Sequence, residues 1–134
     1  MKPEILKDAI NAISLEMLSN PEITKEQQIG IILCELGVPT HISGYHFLKE
    51  ALLIRMTSDD IFFNIGTIYT DIGKKFNTTY SRVERAIRHA IEISAYRTTL
   101  FNMIFHQNIN ILGVRPTNKQ YLEQVVLFYK TIIE

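Results

Sequence analysis

The residues with the clearest chemical bias stand three apart: Arg82, Arg85 and Arg88, with His89 directly after. At about 100° per residue, that spacing lines the three guanidinium groups along one side of a helix. A guanidinium bridges O6 and N7 of guanine in the major groove, a contact worth roughly 1–3 kcal/mol of base discrimination. The chemistry indicated is recognition of DNA. From Lys74 to Arg97 there are six basic residues and two acidic ones, Glu84 and Glu92, so this segment carries +4 and the remainder −4. The neutral total of the 134-residue chain hides a basic face of the kind that meets phosphate. The interleaved glutamates allow a plainer reading, a solvated face with Arg88–Glu92 and Arg85–Glu84 contacts worth a few tenths of a kcal/mol each, on the order of 0.3.

Such a face needs a scaffold, and residues 69–97 predict one: a helix, a tight turn and a second helix. Gly73 costs a short helix roughly 1 kcal/mol against Ala, but it lets a second helix cross at close range. Asn77, four residues on, stands where the turn needs a left-handed backbone, which Asn tolerates best after Gly. Val83, Ala86, Ile87, Ala90 and Ser94 fall on one side of the second helix as its buried face. Ser81, Arg82, Arg85, Arg88, His89 and Glu92 fall on the other. The spacing predicts a helix-turn-helix, with Arg82, Arg85 and Arg88 in the exposed half that reads bases.

The rest of the chain repeats its apolar positions at three and four residues, which predicts an all-α domain of about six to seven helices. Ile5, Leu6, Ala9, Ile10, Ile13 and Met17 form the stripe of an amphipathic helix over 4–18, the accessory part of a segment 1–22. The effector domain proper is expected over 23–134. Within it, a helix over 24–36 starts near Thr24 and stops at Gly37-Val38-Pro39; its apolar density predicts a central place in the core. Ser43 is expected to cap a helix over 44–56, and Ser58-Asp59-Asp60 one that ends near Gly66. Helices over 98–107 and 117–132, the second capped by Thr117, complete the set. Phe101, Phe105, Tyr121, Phe128 and Tyr129 are spaced as core residues.

Composition and motifs also exclude classes. With 46% apolar and 21% charged residues, the chain suits one globular domain. No apolar run approaches the roughly 18 residues of a membrane span, and the one cysteine, Cys34, predicts a reduced, cytoplasmic setting and a core position; with DNA as the expected partner, that setting is nucleoid-associated. His41, His46, His89 and His106 lack ligand spacing, so no metal and no cofactor are expected. No Gly-rich phosphate loop and no Ser-His-Asp set occurs, so the chain is not expected to be an enzyme or to take a small-molecule substrate.

Four stretches taken together, Gly37-Val-Pro-Thr-His-Ile-Ser-Gly-Tyr45, Lys74-Lys-Phe-Asn-Thr-Thr79, Ser81-Arg-Val-Glu-Arg-Ala-Ile-Arg-His-Ala-Ile-Glu92 and Arg115-Pro-Thr-Asn118, carry a resemblance. They resemble the C-terminal DNA-binding effector domain of the sporulation initiation response regulator, stage 0 sporulation protein A. The likeness runs from about residue 29 to the C-terminus. It implies an all-α domain that binds TGTCGAA-like boxes in double-stranded DNA, often as head-to-tail pairs. It assigns base contacts to Arg82, Arg85 and Arg88, with Glu84 and His89 close by, and backbone contacts to Lys74, Lys75, Thr79 and Ser81. Tyr80 stands where that family usually has a small residue or proline. The receiver domain of such regulators has no counterpart in residues 1–28, so the expectation is a free-standing effector in which 1–22 caps the core or pairs two copies. A second functional expectation is a protein-interaction module that pairs with or antagonises a full-length regulator without binding DNA specifically.

Overall fold

The computed structural model describes residue 4 and residues 20–58, 63–97, 101, 104–105 and 115–133. Among the described residues there are five helices and no strand: α1 (Lys25–Glu35), α2 (Ser43–Met56), α3 (Ile65–Lys75), α4 (Tyr80–Arg97) and α5 (Asn118–Ile133). Residues 101, 104 and 105 are also helical. Most of the helix expected over 4–18 and of that over 98–107, and His106 with them, lie outside the described residues.

Local chemistry sets the helix ends. Thr24 and Gln27 form a reciprocal capping box at the start of α1, and Thr117 and Gln120 form another at the start of α5. The α1 terminus winds through Gly37 at φ 82°, where the Val38 N–H donates to the Leu33 carbonyl at 3.0 Å and the Gly37 N–H to Cys34 at 3.0 Å. This paired closure needs a left-handed residue, and glycine adopts that conformation without strain. Ser43 does not cap α2 as expected. It is the first helical residue, and the cap position belongs to Ile42, whose side chain packs on the core and makes no cap hydrogen bond.

The central element is α2, which packs against all four other helices. The expectation that the 24–36 helix is central is thereby corrected. Only one side of α1 faces inward, with Ile29, Ile32, Leu33 and Leu36 buried. Cys34 projects from the other side and is exposed, not a core residue. The apolar run is continuous around α1, so composition alone could not say which side meets the core. The close crossing of helices comes at Gly44: a Cβ there would overlap the Ala86 carbonyl of α4 and lie 2.8 Å from the Ala90 Cβ.

The aromatic cluster is core, as its spacing predicts. Phe105 and Tyr121 stack at 5.2 Å and Phe101 on Phe105 at 4.6 Å, with Phe128 and Tyr129 also buried. Ser94, fully buried on α4, donates to the Leu36 carbonyl at 2.7 Å and lies 3.1 Å from the Tyr121 hydroxyl, so one side chain ties α4 to α1 and α5. Arg55 is buried on α2: its Nε donates to Glu123 at 2.7 Å, Nη1 to the Ser58 carbonyl at 2.9 Å, and the guanidinium covers the Phe63 ring. Nothing in the local pattern of α2 marks that residue as internal.

Candidate nucleic-acid interface

The basic segment is positioned by α3, a four-residue connection and α4. Asn64 caps α3 by accepting from the Gly66 N–H at 2.8 Å. Gly66 therefore lies in the first turn of α3 and does not end a preceding helix; the start of the helix expected from Ser58-Asp59-Asp60 lies outside the described residues. At the other end, Asn77 has φ 54° as its type and position predict. The Thr78 N–H donates to Gly73 at 2.8 Å and the Asn77 N–H to Lys74 at 3.4 Å, the same closure as at the end of α1. A Cβ on Gly73 would meet the Thr78 carbonyl at 3.0 Å and the Tyr80 nitrogen at 3.6 Å. Gly73 thus makes room for the returning turn, not for the body of the second helix.

Thr79 begins α4. Its carbonyl accepts from the Val83 N–H at 3.0 Å and its Oγ1 from the Arg82 N–H at 3.3 Å. From there the two faces separate as the period predicts: Val83, Ile87, Ala90 and Ser94 are fully buried, while Ser81, Arg82, Arg85, Arg88 and His89 are exposed. Lys74, Lys75 and Thr79 are exposed beside them.

The ion pairs differ from those the spacing suggests. Arg88 pairs with Glu84 at 3.4 Å rather than with Glu92, which is held by Arg115, and Arg85 does not pair with Glu84. Lys75 bonds Glu50 of α2 at 2.9 Å. Among the described residues, no acidic side chain pairs with Lys74, Arg82 or Arg85. The open part of the basic face is therefore the first turn and a half of α4 together with the end of α3.

Two further features hold this face in place. Asn118, buried at the start of α5, donates to the Tyr69 hydroxyl at 2.8 Å and to the Glu84 carbonyl at 3.3 Å, locking α5 to α3 and α4. Burial raises the Tyr69 pKa, with the Asn118 bond opposing. In the sequence, Asn118 is marked only by the Arg115-Pro-Thr-Asn118 stretch and by its place just after the Thr117 cap. Tyr80, about half exposed, sets its ring edge-on against Tyr69 at 5.2 Å. Gly66 lies beneath its phenol, and a Cβ there would come 3.3 Å from the Tyr80 hydroxyl. The bulky residue at the start of α4 is accommodated by a glycine in α3.

His41, His46 and His89 are exposed on separate elements, and no three His, Cys, Asp or Glu side chains gather as metal ligands among the described residues. No helix among them is long and apolar enough to cross a membrane. A protein-family model described as "Sporulation initiation factor Spo0A C terminal" matches residues 29–127, from α1 into α5. That family is one of DNA-binding regulatory domains, not a known enzyme family. With about three quarters of its length matched, the chain belongs to the family of the C-terminal DNA-binding domain of the sporulation initiation factor.

Proposed function

We propose that the chain is a sequence-specific transcriptional regulator in sporulation or stationary-phase control, with α3, the turn and α4 acting as a helix-turn-helix on a TGTCGAA-like box. α4 enters the major groove. Arg82, Arg85 and Arg88 contact base edges, with Glu84 and His89 beside them. Lys74, Lys75, Thr79 and Ser81 contact the backbone. The Thr79 hydroxyl accepts from the Arg82 amide and keeps its own proton to donate to a phosphate, and the start of α4 favours that anion through its dipole. Two boxes in tandem would seat two copies head to tail.

The observation that carries this reading is the pairing pattern. Arg82 and Arg85 are exposed, have no acidic residue three or four positions away on α4 and no acidic partner among the described residues, so their charge is available to phosphate and base edges. A mobility-shift titration with a TGTCGAA duplex and a scrambled control tests it. The expected result is tighter binding to the box, lost in Arg85→Ala. Affinity should also fall steeply with salt, by about 0.9 in log K per log salt for each phosphate neutralised. Equal weak binding to both duplexes, unchanged by Arg85→Ala, would favour an interaction module that pairs with another regulator.

A further inference from the structure

We propose that Tyr80 is a further DNA contact, its phenol hydroxyl donating to a phosphate of the bound duplex; the assignment rests on the helix-turn-helix reading of α3 and α4. Tyr80 is the first residue of α4, between Thr79 and Ser81, and its side chain is 48% exposed. The ring is nevertheless held. It stands edge-on to Tyr69 at 5.2 Å, and Tyr69 is itself fixed by the Asn118 bond. The bare backbone of Gly66 lies beneath it: a Cβ there would come 3.6 Å from the ring carbon Cε2 and 3.3 Å from the hydroxyl oxygen. With the ring pinned on α3, the hydroxyl makes no hydrogen bond to a described residue. Its proton is therefore available to an acceptor outside them.

The place of the hydroxyl selects the acceptor. It lies beside the first turn of α3, where Asn64 and Thr67 are exposed. When the second helix of such a unit occupies the major groove, the first crosses the sugar-phosphate backbone, so a donor fixed at the start of α3 meets phosphate. Helical period separates it from the bases. At about 100° per residue, Tyr80 lies about 160° around α4 from Arg82 and about 140° from Arg85, on the α3 flank of the helix. A tyrosine hydroxyl on a phosphate fixes orientation and carries no sequence information. It is also a neutral donor. Unlike a lysine or arginine, it releases no counterion from the duplex, so it adds affinity without adding salt dependence.

Tyr80→Phe keeps the ring and its packing and removes only the hydroxyl, so its urea unfolding should match that of the unaltered chain. In mobility-shift titrations it should weaken binding to a TGTCGAA duplex and to a scrambled one by the same factor, roughly 2- to 12-fold for one neutral hydrogen bond. The salt slope should not change. Lys74→Ala, the charged comparison, should make that slope shallower by about 0.9. Tyr80→Phe binding as tightly as the unaltered chain would overturn the proposal. A loss confined to the TGTCGAA duplex would overturn it too, making Tyr80 a reader of bases. A silent Tyr80→Phe beside an Arg85→Ala that loses box preference would sink this contact alone. No box preference in the unaltered chain, with a silent Arg85→Ala, would sink the helix-turn-helix reading and this contact with it.

Discussion

Arg88 and Glu84, one turn apart on α4, form an ion pair at 3.4 Å, and this pair divides three evenly spaced arginines into two kinds. Arg82 and Arg85 present guanidinium groups with no acidic partner among the described residues. Arg88 shares its charge with a half-buried carboxylate that lines the cleft beside Arg115 and Asn118.

Arg82→Ala and Arg85→Ala should therefore each reduce the preference for a TGTCGAA duplex over a scrambled one by roughly 5- to 150-fold, the equivalent of 1–3 kcal/mol. Arg88→Ala should cost less. Glu84→Gln should release Arg88 and raise affinity for the scrambled duplex, narrowing the ratio. Competition titrations of the four variants at one salt concentration check this ordering, and an Arg88→Ala loss larger than the other two would contradict it.

Gly44→Ala should destabilise the fold by about 1–3 kcal/mol, the range for overpacking a tight contact. The added methyl meets the Ala86 backbone carbonyl, which cannot yield as a flexible side chain could. Urea unfolding should show a lower midpoint with an unchanged slope. Because Ala86 and Ala90 lie on the inward side of the helix that carries the arginines, DNA affinity should weaken as well.

At Asn77 the backbone, not the side chain, sets the requirement, since φ is 54°. Asn77→Gly should leave stability unchanged or raise it slightly. Asn77→Val should cost about 1–2 kcal/mol, the penalty of a left-handed conformation for a residue with a bulky Cβ. Thermal unfolding of the pair distinguishes this from a role for the amide group, which would make both variants equally harmful.

Three tyrosines make stability fall at high pH. Burial raises the pKa of Tyr121, with the Ser94 hydroxyl opposing, and burial raises those of Tyr45 and Tyr69 too. A phenol whose folded pKa lies above its unfolded value of about 10 holds its proton when the unfolded chain has lost it. Its contribution is complete below pH 10 and is lost as pH rises further. Urea midpoints measured from about pH 8 to 11 should fall above pH 10, and less steeply in Tyr121→Phe. At neutral pH that variant should cost only about 1 kcal/mol, because Ser94 still donates to Leu36.

What could be read from sequence is what short-range physics decides. Arg82, Arg85, Val83 and Ile87 fall on their expected faces because helical period alone separates them. Asn77 turns left-handed and Thr24 and Thr117 cap because each choice depends on a few neighbouring residues. Tertiary packing decided the rest. Arg88 has a glutamate one turn away in each direction, and it pairs with Glu84 because Arg115, at the approach to α5, has taken Glu92. Cys34 faces outward, α2 rather than α1 is central and Gly44 rather than Gly73 makes the tight crossing, for one reason. A helix apolar on several sides does not declare which side will be covered, and that depends on partners distant in the chain.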